Sequence, residues 1–193
     1  MSEKGNILFS GVGGQGILLA SELMAYSLLA AGYDVKKSEV HGMAQRGGSV
    51  TAQLRYGEQV YSPLIEAGTA DILIAFEMME AARYLPYLHK GSKVIVNTQQ
   101  ILPPAVACGQ LEYPENVLAR LTERGIEVFE VNGFDIASAV GEVKTVNVVM
   151  VGAVSHFLPL DPTAYEGVIR SKVPQRFRDV NLKAFALGRG SMQ

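Results

Sequence analysis

The stretch that most constrains this chain is residues 7–31, where a short apolar run, Ile7-Leu8-Phe9, enters the glycine-dense segment Ser10-Gly11-Val12-Gly13-Gly14-Gln15-Gly16. That segment opens directly into the apolar stretch Ile17–Ala31. The order reads as strand, tight loop, helix. Gly11, Gly13 and Gly16 match the spacing G-x-G-x-x-G, in which glycines permit a sharp turn and close approach to the backbone. A helix N-terminus placed there presents free N–H groups to an anion. The stretch 17–31 is apolar on nearly every face, broken only by Ser21, Glu22 and Ser27. Such a helix is buried on most sides. Gly32 is placed to end it and Tyr33–Lys37 reads as a second strand.

The chain then departs from a repeating βαβ pattern. Ser38–Gly48 reads S-E-V-H-G-M-A-Q-R-G-G, a loop with three glycines, a histidine and an arginine. In the next strand, Val50, Ala52, Leu54 and Tyr56 alternate with Thr51, Gln53 and Arg55, the pattern of a half-exposed strand. Gly57-Glu58 is expected to turn it back into Gln59–Tyr61 as a β-hairpin. Ile72–Phe76 and Lys93–Val96 read as buried parallel strands, with a helix Glu77–Leu88 between them. Thr98–Asn116, with Pro103, Pro104 and Pro114, reads as a long excursion that has room for a short hairpin. Asn116 is placed to cap a helix Val117–Arg124, and Ile126–Val131 is the last parallel strand. A short helix through Val140 comes next, then helices Thr145–Leu158, Asp161–Arg170 and Arg176–Leu187. The prediction is a single α/β domain over residues 1–193: a Rossmann-like three-layer sandwich, mostly parallel, with an inserted antiparallel hairpin and a helical C-terminus.

Composition narrows the chemistry. A net charge of −2 supplies no broad basic surface for nucleic acid, and no stretch reaches the length of a membrane span. The chain is expected in the cytoplasm. Cys108 is the only cysteine, so no intrachain disulfide and no multi-cysteine metal or iron–sulfur framework can form. A 48% hydrophobic content with a mean hydropathy of +0.16 points to a surface covered by another subunit.

Two loops are candidate binding elements: Gly11, Gly13, Gly14, Gln15 and Gly16 in the first, and His41, Gly42, Met43, Arg46, Gly47 and Gly48 in the second. A loop after the second strand projects toward the same sheet edge as the first. Arg46 could clamp a phosphate or carboxylate, and His41 could bond an anion or exchange a proton. A structural reading stands beside this one: the glycines shape turns, His41 bonds a carbonyl and Arg46 pairs with an acid. Asn147 reads either as a helix cap or as a residue facing the glycine loop. Glu39 lies near the position of a ribose-binding acid, but the chain after it is not βαβ, which disfavours NAD. His89 suits a helix C-terminus, and His156 reads as a core or interface residue. Glu77, Glu80 and Asp71 read as solvated carboxylates, the first two favoured by a helix start. No catalytic residue, H-E-x-x-H metal motif or phosphate-binding G-x-x-x-x-G-K-[ST] emerges.

G-V-G-G-Q-G at Gly11–Gly16, S-E-V-H-G-M-A-Q-R-G-G-S-V at Ser38–Val50 and Y-S-P-L-I at Tyr61–Ile65 together resemble the gamma-type subunit of the 2-oxoacid:ferredoxin oxidoreductases. Asn147, Gly152 and the stretch Asn181–Phe185 extend the likeness across the chain. Within the superfamily the His-Gly-Met-Ala-Gln-Arg-Gly-Gly form is similar to the indolepyruvate branch. The resemblance implies a thiamine-diphosphate reaction on an arylpyruvate: carbon dioxide leaves, electrons pass singly through iron–sulfur clusters to ferredoxin, and coenzyme A takes the acyl group. It also implies that a larger alpha subunit carries thiamine diphosphate, Mg2+ and the clusters. The chain here lacks the Gly-Asp-Gly…Asn pattern that holds diphosphate and magnesium, which agrees with that division. Its two loops are then expected to face coenzyme A or thiamine across a subunit interface, within a hetero-oligomer and without a cofactor held by this chain alone. Alternatives are a gamma subunit acting on pyruvate, 2-oxoglutarate or a branched-chain 2-oxoacid, and a free-standing NAD or FAD enzyme. A nucleotide-activating or GTP-binding module lacks its second glycine run and its downstream polar pattern here.

Overall fold

The first strand is longer than its apolar core suggests. In the computed structural model, which describes residues 4–42 and 48–192, β1 runs Gly5–Val12 and so takes in Gly11. Helix α1 lies at Ile17–Ala30. Its open stripe is Leu19, Glu22, Tyr26 and Leu29, while the remaining faces are largely buried. The helix ends as expected at Gly32, whose φ of 91° is left-handed. The Gly32 N–H donates to the Leu29 carbonyl and the Tyr33 N–H to the Leu28 carbonyl, the two bonds of a Schellman cap.

The chain continues through β2 (Asp34–His41), β3 (Ser49–Gly57), β4 (Ala70–Ala75), α2 (Met78–Arg83), β5 (Leu88–Asn97), α3 (Pro104–Ala107), α4 (Val117–Glu123) and β6 (Glu127–Val131). It ends with α5 (Gly133–Ala139), α6 (Val146–Ser155), α7 (Pro162–Lys172) and α8 (Arg178–Gly190). The strands form one sheet in the order β2-β3-β1-β4-β5-β6. The pairs β1–β4, β4–β5 and β5–β6 are parallel, whereas β3 is antiparallel to both β1 and β2.

The antiparallel insertion differs in its pairing from the sequence expectation. β3 pairs with the preceding β2, from Asp34↔Gly57 to His41↔Val50, and residues 59–61 form no strand. Ala52, Leu54 and Tyr56 face the main core, and β1 and β2 take the two edges of the strand. The polar residues Gln53 and Arg55 then secure the returning segment: Gln53 Oε1 accepts from the Ile65 N–H at 2.6 Å, and Arg55 Nη1 donates to the carbonyls of Ser62 and Leu64. Residues 58–69 therefore lie over the polar face as irregular chain.

Strand residues alternate between two cores. Ile7, Phe9, Ile72, Ile74 and Ile95 pack with α1, α5, α6, α7 and α8 on one face. Leu8, Leu73, Ala75, Val94 and Val96 pack with α2 and α4 on the other. Covering both faces is what makes these strands continuously apolar. Four expectations between residues 77 and 158 are corrected. The helix expected to reach Leu88 stops at Arg83 and gives way to a 3-10 turn at Leu85–Tyr87, because Pro86 has no N–H to continue the ladder. Asn116 does not cap α4 through its side chain; it adopts a left-handed φ of 57°. The 98–116 excursion carries the short α3 rather than a hairpin. The helix expected over 145–158 begins as a 3-10 turn and is α-helical only over Val146–Ser155. The Asp161 cap is as expected, its carboxylate accepting from the Thr163 N–H at 2.9 Å.

Candidate functional site at the carboxyl edge of the sheet

The glycine loop sits where β1, β4, β5 and β6 all end, and side chains lace these ends together. Gln15 is central to the lacing. Its Oε1 accepts from the Val12 N–H at 2.7 Å, and its Nε2 donates to the Phe76 carbonyl at 2.8 Å. The same carbonyl accepts from Asn97 Nδ2 at 3.1 Å, and Asn97 Oδ1 accepts from the Gly133 N–H at 3.1 Å. Asn97 is fully buried, so both halves of its amide need the partners they have. The result is a continuous polar seam across four strand ends.

Each glycine in the loop answers a different demand. A Cβ on Gly11 would come within 2.8 Å of both Phe76 Cβ and Gln15 Oε1, so this position is required for packing. Gly14 has φ of 95° with open space around it, so its demand is conformational. Gly16 combines a φ of 77° with contact to Asn147, whose Nδ2 donates to the Gly16 carbonyl at 3.4 Å. Of the two sequence readings for Asn147, the structure selects the one facing the glycine loop. Gly13 donates its N–H to the Gly48 carbonyl at 3.1 Å. The two predicted loops therefore meet at one edge. The Gly42 N–H bonds the Ser49 carbonyl, and His41 is the last residue of β2, opposite Val50. Met43, Arg46 and Gly47 lie outside the described residues.

Two carboxylates that read as solvated are in fact buried. Glu77 caps α2, accepting through Oε2 from the N–H groups of Met79 and Glu80, while its Oε1 accepts from the Ile101 N–H and the Tyr113 hydroxyl. Burial, reinforced by this carboxylate, holds the Tyr113 hydroxyl well above its ordinary pKa. Glu80 Oε2 accepts from the hydroxyls of Ser10 and Ser49, both at 2.7 Å, and its Oε1 accepts from Arg83 Nε. Sequence periodicity misses these residues because they act through burial. The signal available was the polar residue closing an apolar strand, as in Leu8-Phe9-Ser10 and Ile95-Val96-Asn97. His156, expected in a core or interface, is exposed beyond α6 with its ring against Phe157. His89 has Asp71 within 3.7 Å.

A cleft of about 390 Å³ opens beside Gly14–Gly16, bounded by Ile101, Phe134 and Lys144. Lys144 also lines a neighbouring hollow of about 250 Å³ that reaches Leu19 and Phe177. Glycine-loop amides, the start of α1 and one ammonium group suit an anionic group. The edge does not suit NAD. β3 occupies the place beside β1, so Glu39 at the end of β2 lies two strands away, about 10 Å at the usual strand spacing, and is paired with Lys37. Among the described residues no group of three or more His, Cys, Asp and Glu side chains could hold an ion, and Cys108 is exposed. Among those residues no helix is long and apolar enough to cross a membrane.

These features coincide with a known class. The chain belongs to the pyruvate ferredoxin/flavodoxin oxidoreductase family, whose model matches residues 6–191. It is thus a component of an oxidoreductase of the 2-oxoacid:ferredoxin type. It is 42% identical over 188 residues to the indolepyruvate oxidoreductase subunit IorB of Thermococcus kodakarensis, covering 95% of this chain and 93% of the relative. It is 44% identical over 193 residues, with the same two coverages, to subunit IorB of Pyrococcus horikoshii. The fold matches the gamma subunit of a keto/oxoacid ferredoxin oxidoreductase from Geobacter sulfurreducens, with a TM-score of 0.74, 24% identity and coverage of 97% and 98%. It also matches 31% of the 2-oxoglutarate:ferredoxin oxidoreductase chain from Magnetococcus marinus, solved with 2-oxoglutarate, coenzyme A and succinyl-CoA, over 100% of this chain at 19% identity and a TM-score of 0.77.

Proposed function

We propose that this chain is the smaller, non-catalytic subunit of an oxidoreductase that converts an arylpyruvate such as indolepyruvate, with coenzyme A, to the acyl-CoA and carbon dioxide, reducing ferredoxin. The observation that carries the substrate class is the identity of 42% and 44%, over nearly full length, to subunits named for indolepyruvate. A larger alpha subunit holds thiamine diphosphate, Mg2+ and the iron–sulfur clusters. The single, exposed Cys108 supports that division, since a cluster takes several thiolates. When bound to the partner, thiamine diphosphate supplies the carbanion chemistry and the clusters the one-electron path.

The contribution of this chain is binding and orientation. Gly13, Gly14 and Gly16 expose backbone at the carboxyl edge, and Gln15 and Asn147 hold that backbone still. The second binding element of the proposal is the sequence His41, Gly42, Met43, Arg46, Gly47 and Gly48, in which Arg46 is the cation for a phosphate or carboxylate. The cleft beside Lys144 suits a phosphate of coenzyme A. The test is co-expression with the large subunit, followed by CoA-dependent reduction of ferredoxin or a viologen with indolepyruvate, phenylpyruvate, pyruvate and 2-oxoglutarate. Arylpyruvates should be preferred and the isolated chain should be inactive. Turnover by the isolated chain, or preference for pyruvate or 2-oxoglutarate, would overturn the reading.

A further inference from the structure

We propose that Glu80 is the positioning residue that holds Gly13 of the first loop against Gly42 and Gly48, the two ends of the second. The inference rests on the proposed function for its activity consequence, but its geometry stands independently. Glu80 is 2% exposed on the short helix α2, in a place where an uncompensated carboxylate would be costly. Its compensation comes from the strand that ends in the first loop and the strand that begins after the second. Ser10 lies two residues before the end of β1, and Ser49 is the first residue of β3. Both hydroxyls donate to the same oxygen, Glu80 Oε2, at 2.7 Å. The other oxygen accepts from Arg83 Nε at 2.9 Å, and the Tyr84 hydroxyl lies 3.5 Å from Ser49 Oγ.

The location gives this bridge its purpose. Ser49 stands opposite Val12 on the last rung of the β1–β3 ladder. One step beyond that rung, the Gly13 N–H donates to the Gly48 carbonyl, the direct link between the loops. Ser49 also accepts, through its carbonyl, from the Gly42 N–H. One buried carboxylate therefore fixes the residue on which both loop contacts turn. An ordinary ladder end would fray, because its final hydrogen bonds lie open to water. Glu80 removes that freedom from the α2 side of the sheet. It acts only as an acceptor here, with three donors on its two oxygens, and so is assigned no proton-transfer step.

Hydrogen exchange on the full chain tests the geometry, with Ser49→Ala and Glu80→Leu as disrupting variants and Glu80→Gln as the conservative one. Loss of one net hydrogen bond from the bridge should raise exchange at the Gly13 amide by about tenfold, while Leu73 in the central sheet stays protected. Glu80→Gln retains a carbonyl oxygen for the two hydroxyls and should recover most of the protection. In complexes with the large subunit, Ser49→Ala should raise the KM for coenzyme A severalfold. KM does not depend on how much of the protein is folded, so a merely stabilising role would leave it unchanged. Unchanged Gly13 protection in Ser49→Ala overturns the proposal whatever the activity, and an unchanged KM overturns its functional half. A wild-type complex that turns over no 2-oxoacid would instead overturn the proposed function, and leave the exchange result to decide on Glu80.

Discussion

The packing of α6 against α8 makes a prediction in which two opposing effects can be separated. A Cβ added at Gly152 on α6 would lie 2.2 Å from the Phe185 carbonyl oxygen and 2.9 Å from the Arg189 nitrogen, both backbone atoms of α8. The contact is reciprocal: a Cβ at Gly188 on α8 would lie 2.1 Å from the Val149 carbonyl oxygen. Ordinary carbon–oxygen contacts are about 3.3 Å, so Gly152→Ala must push the helices apart by about 1 Å. Such a gap forfeits roughly a quarter to a half of the attraction across the contact, and overpacking of this kind costs about 1–3 kcal/mol. Helix propensity acts in the opposite direction, since alanine is favoured over glycine by about 1 kcal/mol in a helix interior. Gly167 on α7 isolates that opposing effect, because it is exposed and nothing lies within 4 Å of an added Cβ. Gly167→Ala should therefore raise the melting temperature slightly. Set against that gain, the overpacking leaves a net cost of up to about 2 kcal/mol, so Gly152→Ala should lower the melting temperature by up to about 8 °C, given about 2–4 °C per kcal/mol for a chain of this size. Differential scanning calorimetry of both variants decides the matter. If Gly152→Ala melts at or above the wild-type temperature, the close approach of α6 and α8 is wrong. The consequence reaches the site, because α6 begins one residue before Asn147 and holds it against Gly16.

Tyr165 is 1% exposed, and its hydroxyl has no partner among the described residues, so Tyr165→Phe should leave stability unchanged or raise it by about 1 kcal/mol in urea melts. Burial also holds the Tyr165 proton more tightly in the folded chain than its ordinary value near 10, as burial and Glu77 do for Tyr113. The native state then binds more protons than the unfolded state above about pH 10, so stability is complete below that pH and falls above it. Urea midpoints at about pH 9 and 11 should show the loss, and Tyr165→Phe or Tyr113→Phe should each make it shallower. Gln15→Ala removes the bonds to Val12 and Phe76 and should cost about 1–2 kcal/mol by the same melts, with a larger proportional fall in complex turnover. Arg46→Ala should raise the coenzyme A or 2-oxoacid KM of the complex without lowering the melting temperature; unchanged kinetics would remove Arg46 from the site.

Gly14→Val, the obvious probe of the glycine loop, is a poor one. A φ of 95° strains any side chain there, so lost activity would not separate ligand contact from backbone distortion. Gly13 is the better position, since its φ is not left-handed and an added Cβ would meet only the Gly48 carbonyl oxygen and Val50 Cγ2, at 3.8 and 4.0 Å.

Local pattern and burial chemistry were enough to read the strand–glycine loop–helix opening, the Gly32 stop, the Asp161 cap and the apolar strands covered on both faces. Each is decided by residues within one or two turns of chain, so the sequence alone determined them. The two-loop edge was also legible, because loops after parallel strands emerge on one side. Which strand β3 would pair with was not legible. Val50–Tyr56 offers the same alternation to any neighbour, and the choice of β2 over residues 59–61 depends on β1 being free to accept its other edge. The state of Glu77 and Glu80 was equally hidden, since two acids at a helix start look alike whether water or Ser10, Ser49 and Tyr113 surround them. Only the tertiary structure brings Glu80 to Ser10, 70 positions away, and Asn147 to Gly16, 131 positions away, within hydrogen-bonding range. A buried polar group takes its meaning from the partners that replace water, and those partners are assembled by the sheet, not by the neighbouring sequence.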